Sequence, residues 1–296
     1  MEKFKRVTIK DKGIIKKYVE MTRHQACDYS VAGLILWSEV YQTEYAIENE
    51  ILFIKFQSNN QTYFTYPMGK NDLEFAFHWM QDYCREASIE FRMHVIEPDM
   101  FALIQETFPD KYDIVYVRDN ADYVYKMEDL KNLPGKKYHG KKNHINKFLK
   151  TNDNWVYERI TEQNVQECIG MVKEWCIQNG CCEDEEKAQE ICVMIKGIEY
   201  RDELALLGGL IRTDGRVVAM TLGEQLNEDT FVIHFEKAFA DVPGAYPMIN
   251  QQFILNELTG YTYINREEDM GVEGLRKAKE SYKPEFLVQK GYLAEK

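Results

Sequence analysis

The chain has 296 residues, of which 45% are hydrophobic and 13% aromatic, enough to build a sizeable core in two ordinary domains or one large one. Its 37 Lys and Arg are outnumbered by 49 Asp and Glu, for a formal net charge of −12. That balance argues against non-specific adhesion to DNA or anionic lipid as the main activity, while leaving room for a local basic groove.

In chain order, "FKRVTI" reads as a strand, Asp11 to Arg23 as a helix, and Leu34 to Tyr41 as a second, shorter helix. "YAIE", "ILFIKFQS" and "TYFTYP" are three short strands separated by Asn- and Gln-rich turns. Leu73, Ala76, Phe77, Met80, Tyr83, Cys84 and Ala87 recur at three and four residues and make one apolar helix face, which Asn71 or Asp72 can cap. "FRMHVI" is a strand, "PDMFALIQETF" a helix entered through Pro98, and "YDIVYVRDNADYVYKM" one or two closing strands.

The second half follows the same order. "WVYERI" is a strand; apolar stripes at Val165–Cys176 and Ala188–Ile198 are helices; "LALLGGLIR", "VVAMTLGE" and "TFVIHFEKA" are strands, the first two joined by the hairpin signal "TDGR". A helix carries Ile249, Phe253, Ile254 and Leu258 on one face. "YTYIN", a helix over Val272–Tyr282 and "EFLVQKGYL" close the chain. Each half therefore reads β, α, α, βββ, α, β, α, β, a likeness of pattern and not of sequence. The expected division is an N-terminal domain over 1–130, a basic linker over 131–150 and a C-terminal domain over 151–296.

The opening "MEKFKRVTIKDKG" lacks the apolar core of a signal peptide, and no window approaches eighteen consecutive apolar residues. The expected location is cytoplasmic, without an integral membrane segment. Seven cysteines read as reduced and mostly buried. The vicinal pair Cys181–Cys182, near Cys176, lacks the CxxC or histidine spacing of a zinc site, so no metal is expected.

The basic segment "GKKYHGKKNHINKF", Gly135 to Phe148, stands out in this acidic chain. Lys136, Lys137, Lys141, Lys142 and Lys147 are mobile point charges suited to phosphate, and His139 and His144 add donors. The segment is expected to grip a phosphate-bearing substrate: tRNA backbone, a nucleotide-linked acceptor or a lipid head group. The alternative is a solvated linker whose lysines offset nearby acids. The N-terminal half offers no comparable set, since His78, His94, Glu97 and Asp99 are scattered.

The repeated order resembles a tandem pair of GNAT acyltransferase domains. "DYVYKMEDLKNLPGKKYHGKKNHINKF", "HFEKAFADVPGAYPMINQQF" and "INREEDMGVEGLRKAKESYKP" resemble, in that order, motifs of the DUF2156 family, related to the C-terminal domain of phosphatidylglycerol lysyltransferase. The implied fold is α+β, with a mixed, mainly antiparallel sheet flanked by helices in each domain. The related peptidoglycan aminoacyltransferases use aminoacyl-tRNA as donor.

The resemblance places the acyl donor where "TFVIHFEKA" and "YTYIN" splay apart. Glu236, near the end of the first of these strands, is then a base or an ammonium holder; otherwise it pairs with Lys237 or Arg266. His234 on the same face is a structural residue or a second candidate. "ADVPGAYPMIN" occupies the position of the pyrophosphate loop, making Gly244, Ala245, Tyr246 and Asn250 donor-binding candidates. Asp241 stands where CoA users carry Gln or Arg, which weakens a CoA donor. Lys279 and Tyr282 match a K-x-x-aromatic pattern, implying a charge-stabilising lysine and a tyrosine that protonates the leaving group. Glu268 and Asp269 bind a substrate ammonium or favour the N-terminus of the following helix.

The expected activity is transfer of an aminoacyl or other activated acyl group to an amine or hydroxyl of a phosphate-bearing acceptor. Aminoacyl-tRNA or acyl-CoA enters as co-substrate, with no permanently bound cofactor. The alternatives are an acetyl-CoA-dependent N-acetyltransferase and a non-catalytic module that binds an anionic ligand.

Overall fold

The computed structural model describes residues 3–22 and 24–296, with the side chain of Cys182 outside the described set. The chain divides into two compact units. One comprises the residues up to Asp122 together with Glu268–Gly271 and Leu287–Lys296; the other comprises Tyr123–Glu267 and Val272–Phe286.

The chain begins with β1 (Lys5–Arg6), α1 (Lys12–Val19), α2 (Val31–Leu36), β2 (Glu44–Glu48), β3 (Ile51–Ser58), β4 (Gln61–Phe64), β5 (Met68–Gly69), α3 (Leu73–Ala87), β6 (Met93–Ile96), α4 (Pro98–Thr107) and β7 (Tyr112–Tyr116). It continues through β8 (Asp122–Lys126), α5 (Met127–Asn132), α6 (His139–Thr151), β9 (Val156–Arg159), α7 (Val165–Gln178), α8 (Glu185–Glu199), α9 (Arg201–Leu204), β10 (Leu207–Thr213), β11 (Arg216–Gln225), β12 (Thr230–Ala238) and α10 (Ala245–Glu257). It ends with β13 (Tyr263–Asn265), α11 (Glu273–Glu280), β14 (Phe286–Val288) and β15 (Gly291–Glu295).

The first unit's sheet runs β1-β2-β3-β4-β6-β15-β7, with β5 paired to β3. Its apolar side is covered by α3, whose Leu73, Ala76, Phe77, Met80 and Cys84 are buried at helical spacing. Of the two cap candidates it is Asp72 that accepts the Phe75 N–H. The second sheet runs β14-β8-β13-β12-β11-β10-β9. β11 is buried over its whole length from Val217 to Glu224, so its sequence is a continuous run instead of an alternation. The β10–β11 turn carries Asp214 and Gly215 at φ 48° and 79°, the left-handed pair that a tight hairpin requires.

Both sheets are mixed and mainly antiparallel with flanking helices, the α+β tandem architecture expected. Three details differ. "EFLVQKGYL" is two strands, not one, and β15 inserts between β6 and β7 of the first sheet, while β8 joins the second. The segment expected as a linker over 131–150 contains α6, which belongs to the second unit and packs on α10. α2 begins at Val31, three residues before its expected start, where Ser30 in extended conformation precedes it. Arg23, placed at the end of the first helix from sequence, lies outside the described residues, as does the side chain of Cys182, which the sequence reading set aside as a metal ligand.

Candidate active site

β12 and β13 run parallel, but pairing covers only Thr230–Val232 against Tyr263–Asn265. The remainder of β12 pairs with β11 alone, so the sheet opens at the expected place. Glu236 stands in this splayed half. Its Oε1 meets Arg266 Nη2 at 2.9 Å, and the Asn250 side-chain amide donates to Oε2 at 3.0 Å. Of the two pairings open from sequence, Arg266 is the one formed; Lys237 instead pairs with Glu190 at 2.8 Å.

Arg266 is delivered by the end of β13, where its backbone N–H donates to Tyr123 O at 2.9 Å. Its guanidinium carbon lies 4.8 Å from the ring centre of Tyr282 and 5.8 Å from that of Tyr125. Nη1 is buried without a hydrogen-bond partner among the described residues. Lys279 donates from Nζ to the Arg266 carbonyl at 2.6 Å, and the Tyr125 hydroxyl donates to the Lys279 carbonyl at 2.8 Å. Lys141, on α6, places Nζ 3.8 Å above the Tyr282 ring centre.

Arg266 pairs with Glu236, Lys141 lies within its electrostatic reach, and Lys279 is tied to the Arg266 carbonyl, so cations gather here inside a protein of net charge −12. Burial, with the adjacent Arg266 cation, pulls the Lys141 ammonium down to about 8, against the opposing pull of Glu236. Burial pushes the Tyr282 phenol well up, outweighing Arg266, so it stays protonated at neutral pH.

Beside this cluster lies a cavity of about 260 Å³, lined by Lys141 and His144 of α6, Phe239 and Val242 of the loop after β12, and Gly244, Ala245 and Tyr246 at the entry to α10. Gly244 has φ +88°, and a Cβ there would stand 2.2 Å from the His144 carbonyl oxygen. Glycine therefore lets the loop lie directly on α6. The expected donor loop and part of the basic segment share one wall-to-wall space. Lys141 and His144, three residues apart, are on one helix face. Lys136, Lys137, His139 and Lys142 are exposed and do not line it; Lys137 instead pairs with Asp129 at 2.9 Å. Asn250 sits one step deeper, on Glu236.

His234 lies between two carboxylates, Nε2 at 3.0 Å from Glu224 and Nδ1 at 2.8 Å from Glu267. Burial disfavours the imidazolium, but the two hydrogen-bonded carboxylates outweigh it and raise the pKa to about 10. Both ring nitrogens then donate, which is the structural of its two expected roles.

Glu268 and Asp269 belong to the first unit. Asp269 is fully buried, accepting the Gly271 N–H at 2.9 Å and lying 3.4 Å from Arg118. Glu268 does hold an ammonium, but that of Lys290, at 3.1 Å. Lys290 Nζ also meets Asp28 and Asp122, each at 2.8 Å, and the Cys27 thiol at 3.8 Å. Among the described residues, Cys27, Asp122 and Glu268 are one set whose ligand-type atoms lie within 4.8 Å of one another, and the Lys290 ammonium occupies their centre. Sequence reading missed Lys290 and Asp122, and named Arg266 only as a possible partner of Glu236. A lysine between the apolar runs of "FLVQKGYL" was the one signal that could have flagged the first of these.

The model of the family described as phosphatidylglycerol lysyltransferase, C-terminal, matches residues 19–295. A conserved protein of unknown function from Bacteroides thetaiotaomicron is 35% identical, with 99% of each chain covered and a TM-score of 0.94. L-PGS from Bacillus licheniformis shares the fold at 13% identity, covering 95% of this chain and 91% of that one, with a TM-score of 0.66. An uncharacterized protein of Mycoplasmoides gallisepticum is 21% identical over 261 residues, 86% of this chain and 78% of its own length. With its motifs in order and residues 19–295 matched, the chain belongs to the family of phosphatidylglycerol lysyltransferase C-terminal domains, DUF2156.

Proposed function

We propose that the second unit transfers an activated acyl group, with aminoacyl-tRNA as the first donor, to an amine or hydroxyl of a phosphate-bearing acceptor. The supporting observation is that Lys141 and His144 of the basic segment and the Gly244 loop line one cavity, next to the cationic cluster around Tyr282. Family membership supports an aminoacyl donor and a lipid head group as acceptor. No helix among the described residues is long and apolar enough to cross a membrane.

In this reading the acceptor nitrogen or oxygen attacks the ester carbonyl carbon. The new bond forms there, the bond to the tRNA ribose oxygen breaks, and two protons move. Lys141, neutral in part near pH 8, takes the acceptor's proton. Tyr282 gives its phenolic proton to the departing ribose oxygen. Arg266 and Lys279 offset the negative charge on the carbonyl oxygen, and Glu236 with Asn250 holds Arg266 in place.

The test is transfer of labelled lysine from lysyl-tRNA by the full chain, offered phosphatidylglycerol vesicles in one arm and a water-soluble phosphoamine in the other. Product in either arm, lost in Lys141→Met and Tyr282→Phe, supports the reading and names the acceptor class. Absence of transfer together with saturable acetyl-CoA binding by calorimetry would replace it with a CoA-dependent acetyltransferase.

A further inference from the structure

The first unit contains a cavity of about 330 Å³ at the N-terminal ends of α3 and α4, near the small end of the roughly 300–1,000 Å³ typical of ligand pockets. Its walls are mixed, with Tyr66, Met100 and Leu103 on the apolar part. Its charged groups are mostly acidic: Asp72, Glu97 and Asp99 against Lys70. Burial draws the neighbouring His24 down to about 4, so it adds no positive charge at neutral pH.

Glu97 is the notable member, being only 8% exposed. Its Oε1 accepts the backbone N–H groups of Gln25 at 2.8 Å and Ala26 at 2.9 Å. Oε2 takes no hydrogen bond from the described residues, and no cation among them pairs with the carboxylate. Burial raises its pKa, the two N–H groups opposing. One carboxylate oxygen is thus held by two N–H groups, while the other is not among the buried atoms left without a partner and is open to the cavity that Glu97 lines, where a cation could meet it.

We propose that this cavity binds a small primary ammonium compound with a short apolar body, its nitrogen on Glu97 Oε2 and its chain against Met100 and Leu103. Asp99 at the first turn of α4 adds to the attraction. A neutral ligand of the same shape would leave the carboxylate unpaired. The site is separate from the cluster around Tyr282 and does not rest on the activity proposed for that cluster.

The test is calorimetric titration of the full chain with n-pentylammonium and, in parallel, 1-pentanol. Saturable binding of the ammonium but not the alcohol is expected. Binding should weaken roughly tenfold or more in Glu97→Gln, the loss expected when a charge-assisted hydrogen bond becomes a neutral one. Gln keeps a carbonyl oxygen for the Gln25 and Ala26 N–H groups. Leu103→Lys, at a 43% exposed position on the rim, should weaken it too and tests the same point if Glu97→Gln fails to fold. Lys141→Met should leave it unchanged. Failure to saturate, equal binding of the alcohol, or undiminished affinity in the variants overturns the proposal.

Discussion

Lys141 Nζ sits 3.8 Å above the ring centre of Tyr282. Burial and Arg266 lower the lysine to about 8 while burial drives the phenol upward, so their proton affinities move apart: the lysine can release its proton near pH 8 while the phenol keeps its own. If Lys141 accepts the acceptor's proton, the rate rises with pH and levels off above about 8. Lys141→Met should lower the rate by roughly 10²–10⁴-fold, the usual contribution of general base catalysis, and abolish that limb. Lys141→Arg keeps the charge over the ring but cannot release a proton, so it should bind substrate yet lose the pH dependence. A pH–rate profile of the three proteins decides it; a rising limb that persists in Lys141→Met removes Lys141 from the proton transfer.

Much of this site was legible in the sequence, and the reasons separate cleanly. Glu236, Lys279 and Tyr282 lie within the motifs "HFEKAFADVPGAYPMINQQF" and "INREEDMGVEGLRKAKESYKP", and the structure brings them to one cluster. Gly244 was marked by its place before a helix, although its contact with the His144 carbonyl is a property of packing that no local pattern encodes. The basic segment was visible as composition, but which of its lysines turns inward depends on helix phase. Only Lys141 and His144 fall on the cavity face. The exchange of β8 and β15 between sheets was invisible, because period two reports that a residue alternates in a strand and not which sheet the strand joins. Lys290 and Asp122 were missed for the same reason: their partnership spans 168 residues of sequence, from 122 to 290.

Lys290 and Asp122 are 2% and 0% exposed, and their charged atoms are 2.8 Å apart. Removing one partner of a buried pair strands the other charge, at a cost of about 3–5 kcal/mol. Lys290→Met should therefore lower the unfolding free energy by about that much. The double variant Lys290→Met/Asp122→Asn should recover part of it, since the fully buried carboxylate is then neutral. Denaturant unfolding of the four proteins gives the coupling; strictly additive losses would show that the two residues act independently.

His234 joins Glu224 and Glu267 as an imidazolium. Its pKa in the folded chain is raised from 6.5 to about 10. The stability this provides is fully present below about 6.5 and is lost as pH rises through about 10. His234→Gln should destabilise the protein by about 3–5 kcal/mol at pH 6, because two carboxylates, one of them buried, lose a hydrogen-bonded imidazolium. The gap from the parent protein should narrow steadily as pH approaches 10. Urea unfolding at several pH values checks this, and a gap independent of pH would mean that His234 is neutral in the folded chain.

The contact of Gly244 with α6 is the steric condition for the cavity. Any side chain there meets two obstacles, a φ of +88° that L residues rarely adopt and the His144 carbonyl oxygen 2.2 Å from an ideal Cβ. Backbone cannot swing aside as a side-chain tip can, so Gly244→Ala must push α6 away from the entry of α10. The expected result is a loss of about 1–3 kcal/mol from backbone strain alone, with acyl transfer impaired because Lys141 moves with its helix. Gly170 supplies the contrast: it lies within α7, carries no positive φ, and has nothing within 4 Å of an added Cβ. Gly170→Ala should stabilise the protein by about 0.5–1 kcal/mol, as expected when glycine leaves a helix interior, and leave transfer unchanged. Opposite signs in thermal unfolding, with activity lost only in the first variant, are the predicted pattern. If Gly244→Ala keeps both stability and activity, α6 and the loop yield to each other, and the close approach at His144 is not what shapes the site.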